Sequence, residues 1–121
     1  MVAHVRAAAP EEACGLLGGA GGRVCRVYPV ENALHSPVAY TMEPHAQIET
    51  MLAIEAAGWE LVGIFHSHPG GPAAPSPTDV RQAYYPEALT VILSPGLGGA
   101  WAARAFRIGN GQITEAEITI E

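Results

Sequence analysis

Apolar residues run without a break through Leu61, Val62, Gly63, Ile64 and Phe65, a pattern that predicts a strand covered on both faces. His66, Ser67 and His68 close that strand, and Pro69 ends it. From Gly70 to Pro75 the glycines and prolines predict a loop. Ser76, Pro77, Thr78 and Asp79 read as a helix start, with serine at the N-cap, proline at the first helical position and an acid in the first turn. Val80, Ala83 and Tyr84 then make the apolar side of a short helix that stops before Pro86.

Elsewhere the same patterns give residues 11–19 and 23–31 as a hairpin, joined by a turn from Gly18 to Gly22. A longer helix starts at Pro44 and ends at Gly58, with Ile48, Met51, Leu52 and Ala56 on its apolar face and Glu49 and Glu55 turned away. Leu89 to Leu93 predicts another buried strand, and residues 101–108 and 112–120 a closing hairpin around Gly109, Asn110 and Gly111. Strands and helices mixed in this way predict an α/β layered domain.

The 121 residues, 49% of them hydrophobic, suffice for one core and one domain. A formal charge of -6 and the absence of any basic cluster argue against nucleic acid as the main partner. Cys14 and Cys25 have no metal-pair spacing and read as reduced, buried small hydrophobes. No apolar run approaches the ~20 residues that span a bilayer, and the first ten residues have no long apolar segment, so the expectation is a soluble, cytoplasmic protein without membrane contact.

The chemistry concentrates at His66, His68 and Asp79. Residues two apart on a strand share a face, with Cα atoms about 6.6–6.8 Å apart, so both imidazoles can converge on one ion. Two imidazoles and a carboxylate are the ligand set of a hydrolytic zinc site that leaves its fourth position open. On its own, Asp79 with Ser76 is a helix cap, and a lone His-x-His is a solvated strand end. Asp79 is, however, the only aspartate beside eleven glutamates, and it follows where a third ligand is needed. Glu12 stands one alternation before Cys14 on the same strand face, where partial desolvation would raise its pKa and suit a base; without the metal motif, Glu11 and Glu12 read as solvated glutamates at a strand start. His4, His35 and His45 have no motif context.

The string His66-Ser67-His68-Pro69 with Ser76 and Asp79, preceded by Pro10-Glu11-Glu12-Ala13-Cys14-Gly15, resembles the JAMM (MPN-plus) metalloprotease family in its small prokaryotic form. The resemblance spans nearly the whole chain and implies one JAMM/MPN domain over residues 1–121. Its fold would be a mixed β-sheet flanked by helices, with cytidine-deaminase-like layering. It also implies zinc on His66, His68 and Asp79. Glu12, rather than Glu11, becomes the general acid/base that activates water and returns its proton to the leaving amine, and Ser76 the donor to the oxyanion. The implied substrate is the amide bond after the C-terminal Gly-Gly of a ubiquitin-like β-grasp sulfur-carrier protein. One departure is that small members carry a further strand and most of a helix ahead of the Pro-x-Glu segment, whereas residues 1–9 suffice only for the last turns of that helix.

Two other functions fit parts of the pattern. A DNA-repair-associated relative shares a His-x-His-Pro motif, but the acidic charge disfavours it, and DNA binding across salt concentrations discriminates. A metal-free scaffold of the MPN-minus type would lack the ligands that this chain keeps, and metal analysis separates the two.

Overall fold

Alternation along the first hairpin is set by its turn. Strands β1 (Cys14–Ala20) and β2 (Arg23–Val30) pair antiparallel with Ala20 opposite Arg23. The connecting Gly21 and Gly22 have φ of 60° and 76°, the left-handed conformation that glycine adopts without a Cβ penalty and that a two-residue hairpin requires. The turn thus lies at the end of the predicted Gly18 to Gly22 stretch, and a register shift between Gly18 and Gly19 lets β1 continue to Ala20.

The computed structural model describes residues 1–71, 74–77, 79, 88–95, 100–109 and 112–117. In chain order the elements are α1 (Val2–Ala8), β1, β2, α2 (Pro44–Ala56), β3 (Glu60–Ser67), β4 (Leu89–Pro95), β5 (Trp101–Gly109) and β6 (Gln112–Ala116). The six strands form one mixed sheet in the order β2-β1-β3-β4-β5-β6. Only β3 and β4 run parallel, and a parallel pair needs a long crossover. That crossover carries the Gly- and Pro-rich loop and Asp79. The expected short helix on Val80, Ala83 and Tyr84 lies outside the described residues, as do Asn110 and Gly111 of the last turn and residues 118–120 of the last strand.

Both faces of the sheet centre are covered, which is why β1 reads as buried almost throughout. On one face Val5 of α1 packs with Leu17, Phe65, Val91 and Leu93. On the other, Ile54 of α2 packs with Cys14, Leu16, Val30 and Met42. Phe65 lies fully buried opposite Gly15, and a Cβ at Gly15 would collide with its ring and with the Tyr28 carbonyl. Leu61, Val62 and Ile64 are half-buried, so the cover on β3 becomes complete only toward its C-terminal end.

Helix α2 begins and ends as its sequence predicts. Glu43 caps it by accepting from the His45 and Ala46 amides at 3.2 and 2.7 Å, Pro44 follows, and Gly58 lies beyond the end with φ of 78°. Its inward face needs correction. Ile54 is buried and Met51 packs against the core, but Ile48 and Leu52 are each 60% exposed and Ala56 is exposed. Apolar residues occur on all sides of this helix, so periodicity selects no face and the packing of Ile54 against the sheet decides it. Among the described residues no helix is long and apolar enough to cross a membrane.

Candidate metal centre

The end of β3 is where the sheet delivers functional groups. Residue pairing sets His66 in a row with Cys14 on β1 and Ile92 on β4, on the face that α2 covers. His66 is 1% exposed. The ladder continues one residue past β1, since the Ser67 amide donates to the Ala13 carbonyl at 2.9 Å and Ser67 Oγ accepts from the Ala13 amide at 2.8 Å. These two bonds clamp Glu12-Ala13 beside the histidines. On the other side the His68 amide donates to the Leu93 carbonyl of β4 at 2.8 Å.

Three side-chain atoms then converge. His66 Nε2 lies 3.0 Å from His68 Nε2, and Asp79 Oδ2 lies 3.3 Å from the first and 3.2 Å from the second. Ligand atoms of a tetrahedral zinc site with bonds of about 2.0–2.1 Å stand about 3.3–3.4 Å apart. The triangle therefore has nearly the size that such an ion requires. Its chemistry fits as well. Burial pushes the His66 imidazole below its ordinary pKa, against the opposing pull of Asp79, which favours the neutral form that binds metal. Burial would raise the Asp79 carboxyl, but hydrogen bonds with His66 and His68 and from the Ser76 amide hold it well below the usual carboxylate range.

Ser76 and Asp79 cap each other. The Ser76 amide donates to Asp79 Oδ2 at 2.8 Å, and the Asp79 amide donates to Ser76 Oγ at 3.0 Å. The cap expected from sequence and the convergence on the histidines thus coexist in one carboxylate. Since Ser76 Oγ accepts from Asp79, its own proton stays available to donate.

Glu12 is 5% exposed, and one of its carboxylate oxygens joins ring nitrogens of His66 and His68 in a set whose atoms all lie within 4.8 Å of one another. Burial raises its pKa to about 7, with His68 pulling down and Asp79 pushing up. Two carboxyls of opposite character thus border one site, Asp79 held ionised and Glu12 with a raised pKa, the division that acid–base chemistry needs. Glu11 instead points outward and pairs with exposed His35 at 3.3 Å. A cleft of about 440 Å³ opens over the site, bounded by Glu12, His68, Ser76 and Asp79 and by Val38 and Tyr40.

All five residues singled out in the sequence, Glu12, His66, His68, Ser76 and Asp79, therefore meet in space. Cys14 is buried, donates to the Val30 carbonyl at 3.4 Å and has its thiol pushed up to about 12 by burial, which suits an inert residue. Cys25, expected to be buried, is exposed because β2 lies at the sheet edge. His45 sits exposed on α2, and the His4 ring lies 3.3 Å from the Cys14 carbonyl. Two residues near the site carry no sequence signal. Tyr40 stacks on His66 with ring centroids 4.7 Å apart, and buried Asn32 bonds to the peptide of Glu12.

Comparison with known proteins places these features in context. The model of the prokaryotic homologues of the JAB domain matches residues 1–109. A CysO-cysteine peptidase of Mycobacterium tuberculosis is 38% identical over 122 residues, covering 99% of this chain and 84% of that protein. A probable TtuB-protein conjugate cleaving protease of Thermus thermophilus is 38% identical over 111 residues, covering 91% and 70%. The solution structure of protein DSY2949 from Desulfitobacterium hafniense superposes with a TM-score of 0.87 at 39% identity, covering 100% of this chain and 86% of that one.

Proposed function

The chain belongs to the prokaryotic homologues of the JAB domain, and from that premise we propose that residues 1–121 form a zinc-dependent isopeptidase domain. It hydrolyses the amide bond after the C-terminal Gly-Gly of a ubiquitin-like β-grasp sulfur-carrier protein. The observation that carries this reading is the triangle of His66, His68 and Asp79, sized for zinc, with the raised carboxyl of Glu12 beside it. The relatives' names support the substrate class, since one is a CysO-cysteine peptidase and another a protease cleaving TtuB-protein conjugates. Free Cys14 and Cys25 suit a reducing compartment, and we place the enzyme in the cytoplasm.

His66, His68 and Asp79 would hold the zinc, which when bound acts as a Lewis acid toward the scissile carbonyl and makes water a stronger nucleophile. Glu12 takes a proton from the attacking water and returns it to the departing amine. Burial raises its pKa above the ordinary carboxylate value, which makes it a stronger base than a solvated glutamate. Ser76, oriented by the bond from the Asp79 amide, donates its hydroxyl proton to the oxyanion. The cleft passes the Val38 and Tyr40 side of the site, and a tail ending in Gly-Gly can approach the ligands there without Cβ clashes.

The test uses a β-grasp sulfur carrier conjugated through its Gly-Gly end, incubated with the protein and followed by mass spectrometry with and without a chelator. Chelator-sensitive cleavage after the second glycine is expected, and a bulky residue in place of that glycine should abolish it. Cleavage of unrelated unfolded peptides in preference to every Gly-Gly conjugate would overturn the substrate assignment. Cleavage that the chelator leaves untouched would overturn the metal.

A further inference from the structure

A metal-binding histidine is ordinarily held by a hydrogen bond from its other ring nitrogen to a carboxylate, carbonyl or water. Among the described residues, His66 has no such partner. Its Nε2 lies in the ligand triangle, and its Nδ1 is buried with no hydrogen-bond partner among the described residues. What lies against the ring is the side chain of Tyr40, with centroids 4.7 Å apart and planes 27° apart. Rotation of the imidazole about its Cβ–Cγ bond would drive its edge into the phenol face. Stacking therefore resists the same motion that a hydrogen bond at Nδ1 would resist.

Tyr40 is itself held by Asn32. The Asn32 Nδ2 group donates to the Ala39 carbonyl at 3.1 Å, and Oδ1 accepts from the Thr41 amide at 3.1 Å, so one side chain grips the residues on either side of Tyr40. Nδ2 also donates to the Glu12 carbonyl at 3.0 Å, and Oδ1 accepts from the Leu34 amide at 3.1 Å. These four bonds use both donors and both lone pairs of the amide. The same loop secures the other side of Glu12, whose amide donates to the Ser36 carbonyl at 2.8 Å. The loop is closed at its base, where Asn32 bridges Met42 and the Glu43 amide donates to the Glu31 carbonyl at 2.9 Å.

Resting on the zinc reading above, we infer that Asn32 and Tyr40 act as one positioning unit of the metal centre. Asn32 fixes the peptide of Glu12 and the backbone around Tyr40, and the face of Tyr40 holds His66 in its ligand orientation. Neither side chain touches the reacting atoms. The ring face, rather than the hydroxyl, is the working part of Tyr40.

The test measures zinc release from the purified holoprotein into a chromogenic chelator for wild type, Tyr40→Phe, Tyr40→Ala and Asn32→Asp. Asn32→Asp retains an acceptor for Leu34 and Thr41 but loses the donor to Glu12 and Ala39. Loss of a group that orients a metal ligand costs about 10- to 100-fold in affinity, so Tyr40→Ala should release zinc about that much faster and Tyr40→Phe within about threefold of wild type. Asn32→Asp should also accelerate release, and the double variant Asn32→Asp/Tyr40→Ala should fall short of the product of the two effects. In metal-free protein, proton–nitrogen spectra should show one sharp set of His66 ring signals for wild type and Tyr40→Phe, and signals broadened by exchange for Tyr40→Ala. Melting curves check that each variant folds. If Asn32→Asp does not fold, the Tyr40 pair decides. Release from Tyr40→Ala at the wild-type rate, or from Tyr40→Phe as fast as from Tyr40→Ala, overturns the positioning unit and leaves the zinc reading standing. Wild type that binds no zinc overturns the zinc reading itself.

Discussion

Replacing Ser67 by alanine tests how the two halves of the centre are joined. Ser67 is fully buried at the end of β3, and its Oγ accepts the Ala13 amide at 2.8 Å while Ala13 itself is 2% exposed. Removal leaves a buried amide without a partner, which costs about 1–3 kcal/mol. For a chain of this size each kcal/mol lowers the melting temperature by about 4 °C, so the expected loss is roughly 4–12 °C. The backbone bond from the Ser67 amide to the Ala13 carbonyl remains, and the sheet should persist. Glu12 immediately precedes the loosened amide, and a displacement of about 1 Å can cost on the order of 10²-fold in rate, so turnover should fall beyond what the lost stability explains. Urea denaturation gives the stability change, and hydrogen exchange at the Ala13 amide gives its location. A change within about 0.5 kcal/mol together with unaltered Ala13 exchange would refute the argument, because that is the range of a surface substitution.

Two further outcomes follow from the carboxyl environments. Ser76→Ala should keep its zinc, slow turnover by about 10²- to 10³-fold through loss of the oxyanion donor, and lose about 0.5–2 kcal/mol of stability through loss of the cap; an unchanged rate would leave Ser76 a cap alone. In metal-free protein, Glu12 carries a pKa near 7 when folded against 4.5 as its ordinary value, so the native state binds the extra proton between these limits. Stability should therefore fall as pH rises from about 4.5 through about 7, and Glu12→Gln should remove that part of the dependence, becoming more stable than wild type by roughly 3 kcal/mol at pH 8 and equal to it at pH 4. A Glu12→Gln protein with the wild-type pH profile would place Glu12 in solvent.

The candidate ligands were legible because their geometry is local. His66 lies in β3 and His68 one residue past its end, and Ser76 and Asp79 are one capping turn, so spacing alone brings each pair together. Glu12 lay within reach for a similar reason, since it stands two residues before β1, which pairs with β3, although the strand starts at Cys14 and not at residue 11 as predicted. The hairpins were legible through their glycines and alternating residues. The inward face of α2 was not, because Ile48, Leu52 and Ile54 divide the apolar surface around the helix and only the sheet chooses among them. Asn32 and Tyr40 carried no signal either. Asn32 bonds to the Glu12 carbonyl across 20 residues of chain and Tyr40 stacks on His66 from a loop without periodicity, so their roles exist only once the sheet has formed.

Glu12 could itself be a ligand, since its carboxylate lies close to both histidines, and this is the sharpest alternative to its role as acid and base. Measuring zinc content and Gly-Gly conjugate cleavage on the same preparation of Glu12→Gln decides between them. The account predicts zinc at wild-type stoichiometry with turnover reduced by about 10²- to 10⁴-fold, because glutamine can neither accept nor return the proton. A variant that loses its zinc, or that holds zinc and cleaves at the wild-type rate, would contradict it.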